Sequence, residues 1–318
     1  MIVQRIYGIA AATVMAFSLA GADLSGLFNY TPSTADSIVV VEADKLPASF
    51  TENENVKQLG AEYGFDLKDI EGMVTPICTG ENDYFGILVR VKGNPQLGQI
   101  FAKAGVNYTS VQIQGKSAYK LAGESQECYI IELAPEVLLI VEDEADAEPF
   151  FKQADPEHGK KLAALIPDPQ ALVWAVIEVP APSAEEAADP ENSDMGVRRV
   201  TAFCRLDQVE GKIDTTIKAI FACKDAESAN GCAMMTQMMV LPMVAASFSD
   251  NQTLAAEVTQ AIKSQVTGNV FEVTVSIPSA LADKLSEYGK TRAGAMITPA
   301  GDGAAAPAEA APATGNTP

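Results

Sequence analysis

Six sulfur-bearing side chains crowd the stretch 232–243: Cys232, Met234, Met235, Met238, Met239 and Met243. Thiolate and thioether donors are soft, and softness selects Cu(I) over the hard cations. On a helix Met234 and Met238 share a face, as do Met235 and Met239, because residues four apart are neighbours. The intervening residues are mostly Ala, Val and Leu, so the helix is apolar nearly all round. That pattern predicts a helix buried in a core, where methionine fills irregular gaps. A carrier of an apolar ligand or of Cu(I), using Met234, Met235, Met238, Met239 and Met243, is the alternative. Pro242 predicts a kink or break near Val240 and Leu241. The cysteines are Cys78, Cys128, Cys204, Cys223 and Cys232, an odd number with no C-x-x-C pair. At least one thiol must stay over, and Cys223 with Cys232 and Cys78 with Cys128 are open pairings.

Hydrolytic chemistry has little to work with. The chain has one histidine, His158, in a polar stretch at a predicted helix start, and it reads as solvent-facing. No G-x-S-x-G elbow or H-E-x-x-H helix accompanies it. Phosphate-binding glycine loops and D-x-D-x-D-G calcium loops are absent too, so no cofactor and no metal is expected. The acidic run 142–148 reads as negative charge at a helix N-terminus. Ile213, Asp214, Thr215 and Thr216 resemble the hydrophobic-Asp-Thr-Gly signature of aspartic proteases, with Thr216 where that family has Gly. Asp214 is therefore the one catalytic alternative, as half of a proton-sharing dyad. Its place in a predicted strand reads instead as a solvated strand residue.

Residues 1–22 have the form of a secretory leader. A basic n-region ending at Arg5 precedes the apolar run 6–20, and Ala20, Gly21 and Ala22 give the small-x-small cleavage pattern. The apolar run is too short for a stable membrane span, so no integral span is expected in the mature chain. The predicted location is extracytoplasmic: periplasm, outer envelope or secreted. Losing Arg5 with the leader leaves 21 basic against 42 acidic side chains, a net charge of -21. That sign opposes nucleic-acid binding, which depends on Lys and Arg displacing counterions from phosphate. The partner expected is an unknown protein or envelope component.

Several segments share one pattern of apolar strand, then Pro, Asp or Asn, then amphipathic helix. The strands are 37–42, 87–91, 138–141, 217–221 and 270–276; the helices follow near 52–63, 96–104, 145–153, beyond 225, and 280–288. Duplicated architecture is implied. Two hairpins stand out. One pairs 127–133 with 137–143. The other pairs 200–208 with 213–223 about a turn at Glu210 and Gly211, which sets Cys204 against Ile217 and Leu206 against Thr215. A one-residue slip would mix polar and apolar faces. The same register puts Cys223 opposite residue 198, too far along the strand from Cys204 for a disulfide. Hairpins with helical cover describe an α+β protein: two tandem two-layer halves, each a mainly antiparallel sheet with helices packed on one face. The predicted organisation is leader 1–22, linker 23–36, first half 37–168, second half 169–290 with an acidic loop 180–196, and a disordered Ala/Pro/Gly tail 291–318.

The run from Gly86 through the 127–153 hairpin and helix, with its strand Gly115, Lys116, Ser117, Ala118, Tyr119, resembles exported bacterial proteins. Those are built from repeated units of strand, helix, G-x-x-x-Y strand, and a hairpin ending in a short acidic helix. The resemblance covers 37–153 and, less clearly, 171–290. It implies an exported α+β architecture and carries no activity. The function expected is binding or structural and non-enzymatic, with an acid-dependent hydrolase or a carrier as alternatives.

Overall fold

The computed structural model describes residues 24–45, 69–78, 84–93, 95–122, 127–165, 168, 170–182, 195–209 and 211–297. Its frame is one antiparallel sheet of twelve strands. These are β1 (Ser37–Val41), β2 (Ile70–Ile77), β3 (Gly86–Val91), β4 (Tyr108–Ile113), β5 (Lys116–Ala122), β6 (Glu127–Ala134), β7 (Val137–Val141), β8 (Val173–Glu178), β9 (Val197–Val209), β10 (Lys212–Cys223), β11 (Ile262–Thr267) and β12 (Val270–Ile277). The α+β class and the antiparallel pairing match the sequence pattern.

The spatial order is β11-β12-β10-β9-β8-β1-β2-β3-β7-β6-β5-β4. Two related courses lead outward from the β1–β8 seam. In each, three strands meander, a helix follows, and the chain returns from the sheet edge to close against the third strand. The duplicated unit is thus visible in the topology. The halves do not carry separate sheets, because Val40 pairs with Trp174 across the seam and joins them.

The helices are α1 (Ser25–Phe28), α2 (Leu97–Ala104), α3 (Glu148–Lys152), α4 (Pro156–Ala163), α5 (Ala226–Met235), α6 (Leu241–Ser247), α7 (Gln252–Ala261) and α8 (Ser279–Ile297). In the first half they lie on both faces, beyond the single face that alternation suggested. Ile38, Val40, Val74, Leu88 and Leu139 pack with Leu27, Phe28, Phe150 and Leu162 from α1, α3 and α4. On the opposite face Val89, Ile130 and Leu138 pack with Leu97 and Phe101 of α2. The strands are apolar on both sides, which is the mark of a sheet covered twice. Residues 23–36, read as a linker, carry α1, whose Leu27 is fully buried. α8 also runs on to Ile297, past the expected end of the second half at Lys290.

The β9–β10 register is the one the alternation selects: Ile217 pairs with Cys204 and Thr215 with Leu206. Cys223 meets Val197 rather than residue 198, because a bulge at Ala222/Cys223 shifts the end of the ladder. The G-x-x-x-Y segment is a hairpin device. Gln114 (φ 50) and Gly115 (φ 76) form the two-residue turn from β4 to β5, and positive φ at both central residues is what such a turn requires. Tyr119 then joins Phe101 and Tyr108 in a three-ring cluster with centroids 5.6–5.7 Å apart. The predicted helix near 52–63, the leader, most of the acidic loop and the tail beyond 297 lie outside the described residues.

Candidate functional site

α2 and α5 hold equivalent places in the two halves, each following the third strand of its meander. They are built differently. α2 drives Leu97 and Phe101 into the sheet, both nearly inaccessible. α5 turns a stripe of small residues toward the sheet: Ala229 and Cys232, continued by Thr236, are its buried positions. Ala229 and Cys232 close against Phe271, with Phe221, Val266 and Val273 around them. Small residues let the helix sit close to the strands, so the large ones must point away.

The methionines therefore face outward, which overturns the expectation of core packing. Met238 is 70% exposed, Met243 68%, Met234 60%, Met239 58% and Met235 40%. An all-apolar helix is ambiguous about which face is buried. The signal that decides here is the spacing of small residues, Ala229, Cys232 and Thr236, at three and four positions.

The helix starts where Asp225 accepts the amide of Ser228 at 2.7 Å, an N-cap of ordinary kind. The sequence predicts a kink or break near Val240 and Leu241, and the regular α-helix is interrupted there while the chain stays helical. A π-helical turn, Thr236–Val240, precedes the proline and α6 continues directly from Leu241. The widened turn absorbs the donor and the space that proline denies the helix.

Beside α5 lies an open groove of about 660 Å³, lined on the apolar side by Met195, Cys232, Met234, Met235, Met238 and Met239, with Lys224, Asp225, Glu227 and Ser228 at the polar end. Met195 is 47% exposed and forms a wall away from the helix. Gly196 makes that wall. Its φ is +71°, and a Cβ there would lie 2.2 Å from Ser228 Oγ. Its carbonyl accepts the Lys224 amide at 2.7 Å, fastening the segment to the end of β10. Gly231, in mid-helix, has nothing within 4 Å of where a Cβ would stand. Met195, Gly196 and Gly231 were not singled out from the sequence, because only the fold brings residue 195 to the helix start.

Under the groove Cys223 and Cys232 belong to one buried cluster, and the Cys223 thiol donates to the Phe221 carbonyl at 3.8 Å. Both are buried, at 3% and 6% exposure. Burial, and then the adjacent Cys232, push the Cys223 thiol up to about 11. All five cysteines are free thiols in the structure.

Asp214 is anchored elsewhere. Its Oδ1 accepts the Ser279 amide at 2.8 Å, which satisfies an orphan donor at the start of α8. Its cross-strand partner is Asp207, whose carboxylate takes Arg205 Nε at 2.9 Å, while Arg205 Nη1 reaches Asp168 at 3.0 Å. Two carboxylates that share a proton would need each other; these two have separate partners. His158 is half-buried rather than solvent-facing, with Nε2 2.6 Å from the Ala35 carbonyl oxygen. It ties α4 to the segment before β1. The acidic run ends in the expected place, with Glu148 opening α3 and paired to Lys152.

Among the described residues no three His, Cys, Asp or Glu side chains gather closely enough to hold a metal ion. One helix among them, Ala226–Ser247 counted through the π turn, is long and apolar enough by length and composition to cross a membrane.

No protein-family model matches the chain, and no curated protein matches it. Solved structures similar in backbone course include two crystal forms of TP0453. Crystal form III of TP0453 is 9% identical with a TM-score of 0.46, covering 83% of this chain and 97% of that one. Crystal form I of TP0453 is 11% identical with a TM-score of 0.42, covering 82% and 94%.

Proposed function

We propose that this is an exported, non-enzymatic binding protein of a bacterial envelope that takes an apolar, chain-like ligand into the groove beside α5. The observation that carries the reading is the outward-facing methionine cluster lining a concave space. A surface left open at this energetic cost is normally one that something else covers. The groove volume falls in the usual range for small-molecule sites, about 300–1,000 Å³. Methionine is flexible and polarizable, suited to chains of varied shape. The polar end, with Lys224, Asp225 and Glu227, suits a ligand whose head stays in water. Export rests on the leader pattern of residues 1–22.

A bilayer is the rival apolar partner. Concavity favours the ligand, because a groove walled by Met195 holds a chain better than it meets a flat surface. The small-residue stripe also keeps α5 docked on β10 and β12, and spanning a membrane would tear it away.

The test is a fluorescence titration of the mature chain with the neutral probe N-phenyl-1-naphthylamine. Saturable binding is expected, lost on Met235→Glu/Met239→Glu with unchanged thermal unfolding. Flotation with phosphatidylcholine vesicles separates the rival. Co-flotation without saturable probe binding would replace the ligand reading with a membrane one.

A further inference from the structure

We infer that two copies of this chain join edge to edge, β4 against β4, antiparallel and in register about Ser110. β4 ends the sheet, and among the described residues no strand lies beyond it. The two-residue turn at Gln114 and Gly115 makes its flanking residues, Ile113 and Lys116, a hydrogen-bonded pair. Such pairs alternate along the ladder, so Ile113, Val111 and Thr109 bond inward to β5. Tyr108, Ser110 and Gln112 therefore turn their amides and carbonyls outward. Ser110 and Gln112 are exposed, and an open row of this kind is a template for another strand.

Natural sheets blunt an edge with lysine, proline or a bulge. β11, at the other end, carries Lys263. β4 reads Tyr-Thr-Ser-Val-Gln-Ile, without charge or proline, and its ladder to β5 runs without a register shift. The neighbouring β5 carries Lys116 and Lys120 and no acid, in a chain of net charge -20. Copies whose net charges repel each other meet here along a neutral strip.

The strand is also its own best complement. Outward residues bond only to outward residues, so the two-fold axis falls on a residue rather than between two. Centred on Ser110, it pairs Tyr108 with Gln112 of the second copy, Ser110 with Ser110, and Gln112 with Tyr108. Each pair exchanges two backbone hydrogen bonds, six in all. A step of one residue either way leaves only two such pairs within β4. On the other side of the sheet Thr109 meets Val111, a β-branched pair, and no like charges face each other. An extended peptide from another protein can also add to an edge; the self-complementary register favours the second copy. β4 lies at the opposite end of the sheet from β10, β11 and β12, so the pairing leaves the α5 groove alone and stands apart from the ligand reading.

The experiment measures molar mass by light scattering of the mature chain across a dilution series. Twice the chain mass is expected at high concentration, falling to the single mass on dilution. Ser110→Lys sets two lysines face to face on the axis and should give monomer where the wild type is dimer. Ser110→Glu should do the same. Mixed in equal amounts, the two variants should recover the doubled mass, because Lys then faces Glu. Lys263→Glu, on the other edge, should leave the dimer intact. Should the Ser110 variants fail to fold, residue-level amide exchange of the wild type reads the same edge. The amides of Tyr108, Ser110 and Gln112 should slow at high concentration, while Thr109, Val111 and Ile113 stay slow throughout. A wild type that is monomeric at every concentration overturns the pairing. So does a dimer that persists in folded Ser110→Lys, or concentration-dependent protection confined to residues outside β4. A mixture of the two charged variants that stays monomeric overturns the register about Ser110.

Discussion

Peroxide should find the methionines of the α5–α6 helix first. Met238 is 70% exposed and Met243 68%, Met234 and Met239 follow at 60% and 58%, and Met235 is the least open at 40%. Met73 is the internal reference, half-buried in β2 and packed against the core. Mass mapping of folded protein over a peroxide time course should rank Met238 and Met243 fastest and Met73 slowest. Stability should tell the same story. Fully burying a methionine is worth about 1.5–3 kcal/mol. Met238 hides less than a third of itself, so Met238→Ala should cost about 0.5–1 kcal/mol before alanine's better helix propensity returns a few tenths. At this chain length that is a melting shift of about 2–3 °C or less. A core methionine would cost about 2–5 kcal/mol instead. If the five methionines survive peroxide as long as Met73, or Met238→Ala drops the melting temperature by ten degrees, the outward-facing helix is wrong.

Other residues carry sharper costs. Phe271→Ala, at a ring 1% exposed beneath α5, should destabilise by about 3–5 kcal/mol in chemical unfolding. Gly196→Ala puts a Cβ against Ser228 at a positive φ; about 1–3 kcal/mol is expected, with weaker probe binding because Met195 is displaced. Asp214→Ala should cost about 0.5–2 kcal/mol through the lost cap on α8, and Asp214→Asn much less. Neither should alter any acid-optimum proteolysis, and pepstatin-sensitive cleavage lost on Asp214→Asn would restore the hydrolase alternative. N-terminal sequencing of protein from its host should start at or near Asp23; an intact leader on cytoplasmic protein would remove the export reading.

The sheet was legible because alternation constrains it. Cys204 against Ile217 and Leu206 against Thr215 follow from keeping apolar residues on one face, and a slip would have put charges inside. The bulge at Ala222/Cys223 escaped, since one extra residue at a strand end leaves no mark on the pattern. Joining the halves through β1 and β8 was not legible either: pairing across some 135 residues has no local signature. The candidate site was half-read. The methionines stood out by composition, but an all-apolar helix does not say which way it faces. Hydrophobicity pointed the methionines inward; the spacing of Ala229, Cys232 and Thr236 turns them out. Asp214 was noticed for a motif, and the fold gives it a cap to fill.

Gly231 offers the most direct test of the binding groove. It lies in mid-helix on the groove wall, and a side chain added there meets open space. Gly231→Trp should therefore fill the groove without straining the fold, and removing a mid-helix glycine should raise stability by a few tenths of a kcal/mol. The measurement is equilibrium binding of N-phenyl-1-naphthylamine to wild type and Gly231→Trp at equal concentration. The account predicts saturable binding by the first and none by the second, with the variant melting at the same or a slightly higher temperature. Equal binding by a well-folded Gly231→Trp would contradict it.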